Sequence, residues 1–199
     1  MITGIILASG FSSRMGKDKL LLEIEGEKII ERVIKAGKKS NLDEIILVYR
    51  KAEVGEIGEK YGVNTVENEK PSLGQSESVK LGVLKSKEET EGYMFLMGDQ
   101  PFLTYKTINK IIKEFYKRKK FIIIPYYSGI KGNPVLFPSK LKKELLSIEG
   151  DKGGRDIIRE KSNTVFKVFF ESGKLGMDID TPEDFFVHKG GYYEEFGDY

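Results

Sequence analysis

The sequence predicts an α/β fold in which a sheet is covered by helices on both faces. Three observations carry that reading. Short β-rich apolar runs alternate with amphipathic segments along the chain. The amphipathic segments place apolar residues at helical spacing, as Ile29, Ile30, Val33 and Ile34 do against Glu31, Arg32 and Lys35. No repeat, low-complexity tract or linker divides the 199 residues, enough for one domain with a real core. The domain is expected to span 1–199, with the Gly- and Tyr-rich tail over 188–199 left open between fraying and docking.

An apolar strand over 3–8 opens the chain and runs into a loop with glycines at both ends. The helix over 28–39 follows, its apolar stripe marking a core-facing element. Strands over 44–49 and 64–67 flank a helix over 53–61. A helix over 75–87 begins with polar residues able to cap it, and leads to a strand over 93–97. The helix over 105–119 ends in Lys117-Arg118-Lys119-Lys120, a basic last turn that suits the helix dipole better than a nucleic-acid patch. Strands over 121–126, 134–137 and 164–170 are separated by helices over 139–147 and 154–161. A last helical turn follows Pro182, which suits the first position of a helix.

Composition narrows the chemistry. The 33 basic and 31 acidic residues nearly cancel, which argues against nucleic acid as the main partner. With no cysteine and only His188, thiol nucleophiles, thiolate zinc sites, a histidine triad and a zinc site with several His ligands are all excluded. Carboxylates, cations, backbone and a metal remain. No stretch approaches a membrane span, and the N-terminal apolar run lacks a basic leader, so a cytoplasmic protein is expected.

The stretch over 7–21, Leu7-Ala8-Ser9-Gly10-Phe11-Ser12-Ser13-Arg14-Met15-Gly16-Lys17-Asp18-Lys19-Leu20-Leu21, is the most informative part of the chain. Gly10 and Gly16 let backbone N–H groups approach an anion, Arg14 can fork onto two phosphate oxygens, and Lys17 and Lys19 offer point charges. Five residues separate Gly10 from Gly16 and Asp18 stands where a hydroxyl residue belongs, so this is no Walker loop, nor does it read Gly-x-Gly-x-x-Gly. Asp99 follows the strand over 93–97 directly, at the carboxyl edge where α/β ligands bind, and is the first candidate metal ligand; a turn or helix cap is the alternative. Asp178 and Asp180 share one side of an extended segment, with Asp180 preferred as a second ligand for a hard cation such as Mg²⁺. Thr181 and Asp184 fit a capping box instead. Gly74, Ser76 and Ser78 open a helix whose free N–H groups can meet a base or phosphate, although Ser76 also suits simple capping. Asn133 sits in a polar turn, and Arg155 in a glycine-flanked loop that is either a plain helix start or an anion contact.

Taken together, the loop over 7–21, Gly74 to Ser78, Gly98-Asp99-Gln100-Pro101, Gly132-Asn133-Pro134-Val135-Leu136-Phe137, Gly150-Asp151-Lys152-Gly153-Gly154-Arg155 and Asp178-Ile179-Asp180-Thr181-Pro182 resemble, in order, the motifs of the molybdenum cofactor cytidylyltransferase family. That family is a branch of the GT-A-like nucleotidyltransferases, and the resemblance spans about 5–186. It implies a three-layer α/β/α sandwich with a mixed, mostly parallel, Rossmann-like sheet. The implied reaction transfers CMP from CTP to the phosphate of molybdenum-loaded molybdopterin, with Mg²⁺ or Mn²⁺. By position, Arg14 and Lys19 hold the triphosphate, Leu7, Ala8, Ser9 and Gly10 face the base, Asp99 and Asp180 hold the metal, and Gln100, Asn133 and Arg155 face the acceptor. Ser9 stands where cytidylyl members usually carry Ala and guanylyl members Gly, and Asn133 where His is common. The alternatives are a guanylyl- or cytidylyltransferase for another phosphorylated small molecule, and a non-catalytic chaperone that delivers the finished cofactor to a molybdenum hydroxylase apo-enzyme.

Overall fold

The computed structural model describes residues 1–11 and 18–189. Among them an eight-stranded mixed sheet runs in the order β10-β7-β9-β6-β1-β4-β5, with β8 paired to β7. The strands are β1 (Ile2–Ala8), β4 (Glu44–Tyr49), β5 (Asn64–Glu67), β6 (Gly92–Met97), β7 (Ile122–Tyr127), β8 (Ile130–Lys131), β9 (Val135–Pro138) and β10 (Val165–Phe170), with β2 (Glu23–Ile24) and β3 (Glu27–Lys28) forming a separate hairpin. The helices are α1 (Ile29–Lys39), α2 (Ala52–Lys60), α3 (Gln75–Lys85), α4 (Tyr105–Lys117), α5 (Lys142–Ser147), α6 (Arg155–Glu160) and α7 (Pro182–Lys189).

Strand alternation divides the core in two. Ile6, Leu47, Met94, Leu96, Ile123 and Leu136 turn to the face covered by α1, α2 and α4, where they meet Ile30, Val54 and Ile111. Their neighbours Ile5, Leu7, Ile46, Val48, Phe95, Ile124 and Phe137 turn to the other face, against Val79 and Val83 of α3, Leu145 of α5 and Ile157 of α6. This period of two, buried on both sides, explains the near-continuous apolar reading of each strand. Gly82 lets α3 lie close on β1, because a Cβ there would strike the Ile5 side chain well inside contact distance. Gly82→Ala is therefore expected to destabilise the fold by about 1–3 kcal/mol, read as a lowered Tm with unchanged far-UV circular dichroism.

The connections place the site. β1, β4 and β5 are parallel neighbours, with α1 and α2 between them on one face. The chain then crosses on the opposite face through α3 and returns as β6, parallel to β1 on its other side. The topological switch point thus falls between the carboxyl ends of β1 and β6, where ligands bind in open α/β sheets. β9 is antiparallel to both β6 and β7, so the turn before it opens on the same edge as the strand ends of β1 and β6.

The expected strands and helices appear with ends shifted by a residue or two, and caps account for several shifts. Thr104 accepts from the Thr107 N–H at 3.2 Å to start α4, and the Ser86 hydroxyl donates to the Val83 carbonyl at 2.7 Å where α3 stops. The segment expected as one helix over 139–147 is a 3₁₀ turn, Ser139–Leu141, followed by α5. The final turn extends into α7, whose His188 ring meets Phe102 edge to face at 4.9 Å. The β2–β3 hairpin and β8 are additions. Each is made by a two-residue turn with both central residues at positive φ, Glu25-Gly26 at 55° and 76° and Ser128-Gly129 at 47° and 84°, as a type I′ turn requires. The basic run is largely paired: Lys117 and Arg118 meet Glu114 at 2.7 and 2.5 Å, and Lys119 meets Glu91 at 2.5 Å. Among the described residues no helix is long and apolar enough to cross a membrane.

Candidate active site

A cavity of about 310 Å³ lies at the switch point, lined among others by Leu7, Ala8, Ser9, Gly10, Lys19, Gly74, Ser78, Met97 and Asp99. The carboxyl end of β1 delivers Leu7 to Gly10, and the turn after β6 delivers Asp99. Lys19 opens a 3₁₀ turn whose preceding Asp18 accepts the Leu20 N–H at 3.2 Å. Asp18 in turn lies 3.5 Å from Arg50 and 3.7 Å from Lys51, and Arg50 donates to the Gly10 carbonyl at 3.4 Å. One guanidinium therefore ties together both flanks of the basic loop. Arg14, assigned to the triphosphate from the sequence, lies outside the described residues.

The charged centre is a lysine between two carboxylates. Lys19 Nζ stands 2.6 Å from Asp99 Oδ2 and 2.6 Å from Asp180 Oδ1. The Lys19 and Asp99 side chains are only 12% and 16% exposed, so the pair is largely withdrawn from water. Burial disfavours the ammonium charge, but the two carboxylates outweigh it and hold Lys19 above the ordinary lysine range. Asp99 does not cap α4; Thr104 does. Asp180 is carried on the extended segment before α7, where the Ile179 N–H donates to the Asp99 carbonyl at 3.0 Å. Thr181 and Asp184 form the reciprocal cap: the Thr181 N–H donates to Asp184 Oδ2 at 2.9 Å, and the Asp184 N–H to Thr181 Oγ1 at 3.2 Å.

Gln100 is 1% exposed and lines neither this cavity nor the one that adjoins it; its amide donates to the Gly176 carbonyl at 3.1 Å and to Asp178 Oδ1 at 2.7 Å. It braces the Asp178 segment against the end of β6. Desolvation first, and then the charge of Asp99, push the Asp178 carboxyl up to about 6, against the smaller opposing effect of the Gln100 hydrogen bond. Ser76 is also buried, with its hydroxyl on the Leu73 carbonyl at 3.4 Å, and does not reach the cavity.

A second cavity of about 340 Å³ adjoins the first, lined by Lys131, Asn133, Phe137, Arg155 and Asp178 among others. The two share Leu7, Gln75 and Met97 as a wall, and the Gln75 amide donates to Met97 Sδ at 3.6 Å. Asn133 and Arg155 thus line one cavity. Lys131, which the sequence did not single out, stands with them; desolvation and then the positive charge of Arg155 lower its pKa. Asp151, part of the motif over 150–155 but without an assigned role, accepts the Gln75 N–H at 3.0 Å on the first turn of α3. Gly74 has φ 88°, and a Cβ on it would lie 2.6 Å from the Gly150 carbonyl carbon, so this close loop crossing needs glycine. Lys131 carries no local motif of its own, and Asp151 lies inside the motif over 150–155.

Known proteins resemble the chain over nearly its whole length. The chain is 31% identical over 193 residues to the molybdenum cofactor cytidylyltransferase of Escherichia coli strain K12, covering 96% of each chain. It is 29% identical over 196 residues to the purine catabolism protein PucB of Bacillus subtilis strain 168, covering 92% of this chain and 94% of that one. The manganese complex of Rv0371c from Mycobacterium tuberculosis H37Rv shares the fold with a TM-score of 0.79 at 22% identity, over 96% of this chain and 99% of that chain. Residues 4–165 match the MobA-like NTP transferase domain, and the chain belongs to that nucleotidyltransferase family.

Proposed function

We propose that this protein transfers CMP from CTP to the phosphate of molybdenum-loaded molybdopterin and releases pyrophosphate. The observation that carries the reading is the pair of adjoining cavities, one ending at Lys19, Asp99 and the β1 loop, the other lined by Lys131, Asn133 and Arg155. Such an arrangement suits a nucleoside triphosphate and a second anionic substrate brought together across one side-chain wall. The cytidylyl assignment rests on similarity to the Escherichia coli enzyme over nearly the whole of both chains.

In this reaction an oxygen of the acceptor phosphate forms a bond to the α-phosphorus, and the bond from that phosphorus to the bridging oxygen of pyrophosphate breaks. A phosphomonoester is already anionic near neutral pH, its second pKa being about 6, so no histidine base is needed. Lys19 neutralises phosphate charge, the loop N–H groups after β1 hold phosphate oxygens, and Lys131 and Arg155 hold the acceptor. Asp99 Oδ1 is buried without a hydrogen-bond partner among the described residues, and such a carboxylate oxygen is the donor a hard divalent cation takes. Asp99 and Asp180 would hold Mg²⁺ or Mn²⁺, which would polarise the phosphoryl oxygens and offset their charge.

The test is pyrophosphate release with CTP, GTP, ATP and UTP in turn, in the presence of Mg²⁺ and molybdenum-loaded molybdopterin. Release with CTP is expected. Release with GTP alone would reassign the nucleotide. Silence with all four, in protein that still binds nucleotide by calorimetry, would reject the acceptor. Arg155→Ala is expected to raise the acceptor KM by about tenfold and leave the CTP KM unchanged, as initial-rate kinetics would show.

A further inference from the structure

Behind the wall of the nucleotide cavity lies a buried polar triangle that the reaction described above does not use. Asn68, after β5, is 2% exposed; Ser9 and Ser78 are 7% and 2% exposed and both line the cavity, whereas Asn68 does not. The Asn68 amide nitrogen donates to Ser9 Oγ at 3.3 Å and to Ser78 Oγ at 3.1 Å, and the two hydroxyls bond to each other. Asn68 Oδ1 accepts the Lys70 N–H at 2.9 Å, which fixes which end of the amide faces the serines.

Counting donors and acceptors shows what the triangle offers a ligand. Both amide protons are committed to the serine oxygens, so neither hydroxyl can donate back to the amide nitrogen. One hydroxyl donates to the other. The accepting hydroxyl then has both lone pairs filled and a proton to give, while the donating hydroxyl has spent its proton and keeps a lone pair. Neither has another hydrogen-bond partner among the described residues. The pair presents one donor beside one acceptor on the cavity wall, and reversing the shared proton exchanges the two.

We infer that Asn68 is a positioning residue for nucleobase recognition, holding Ser9 and Ser78 as an adjacent donor and acceptor that receive a base edge carrying an acceptor beside a donor. The Watson–Crick edge of every nucleobase has that pattern: N3 beside the 4-amino group in cytosine, O6 beside N1–H in guanine, O4 beside N3–H in uracil and N1 beside the 6-amino group in adenine. Because the shared proton can lie either way, the wall itself does not dictate the order of the two groups, and selection among bases falls to the size and shape of the cavity. The inference rests on the reading of this cavity as a nucleoside triphosphate site and needs nothing of the acceptor.

The experiment is calorimetric binding, with Mg²⁺, of CTP and of inorganic tripolyphosphate, which carries the phosphates without a base. Asn68→Asp keeps the size of the side chain and the acceptor for Lys70, but replaces the two amide donors with an acceptor. The hydroxyl protons then turn inward and the wall loses its donor. CTP affinity is expected to fall by about 10- to 100-fold, with tripolyphosphate affinity unchanged. A structural role alone would weaken both ligands together. Unchanged CTP affinity would overturn the inference. If Asn68→Asp fails to fold, the Ser9→Ala/Ser78→Ala double variant removes the hydroxyls that Asn68 holds without burying a carboxylate, and the same two outcomes decide. Failure of wild-type protein to bind CTP, while still binding tripolyphosphate, would reject the nucleotide reading itself.

Discussion

Replacing Asp99 with alanine is expected to lower kcat by about 10²- to 10³-fold, by analogy with removing one preorganised electrostatic contact. The side chain holds Lys19 through one oxygen at 2.6 Å and leaves the other buried and unpartnered among the described residues. Both features disappear with the carboxylate. The fold should survive, because Asp99 follows the end of β6 and its backbone carbonyl, which receives the Ile179 N–H, is untouched by the substitution. Stopped-time assays of pyrophosphate release, beside a thermal melt, separate the two effects. Turnover at the wild-type rate in a folded variant would remove Asp99 from the site.

The second large effect is expected from Lys19→Ala: a nucleotide KM raised by about tenfold and a kcat lowered by about 10²-fold. The ammonium now separates Asp99 from Asp180, each 2.6 Å away. Without it, two carboxylates face each other with no counter-charge in a partly desolvated place, which costs stability. A divalent cation relieves that repulsion, and lysine no longer competes with it. Mg²⁺ should therefore raise the Tm of Lys19→Ala by more than it raises that of the wild type, through the linkage of binding to stability. An equal shift in both proteins would mean that Lys19 and the metal do not share these carboxylates.

What could be read from the sequence was whatever lay close together along it. The β1 strand, its glycine loop and Lys19 form one continuous pattern, and Asp99 stands directly after an apolar run, so each carried its meaning locally. Asn68 and Lys131 carry none until the sheet order is known, and Gln75 and Asp151, although they lie inside motifs, have no individual role to be read there. Only the parallel order β1-β4-β5 brings Asn68, after β5, to the edge where Ser9 stands, and only the β7–β8 hairpin places Lys131 beside the cavity that Asp178 lines. Gln100 illustrates the opposite error. Adjacent to Asp99 in sequence, it was assigned to the acceptor, but it turns inward and is spent on Gly176 and Asp178. The β2–β3 hairpin escaped notice because two-residue strands have no periodicity to show.

The wall between the two cavities is made partly of uncharged side chains, Gln75 resting on Met97. A barrier of this kind can be lowered, raised or reshaped by one substitution without altering any strand pairing. The range of acceptors that such a protein can serve is then an evolutionary variable separate from its grip on the triphosphate. New acceptor preferences can arise by changes on the Lys131 and Asn133 side, which the first cavity does not share, while the nucleotide half stays as it is.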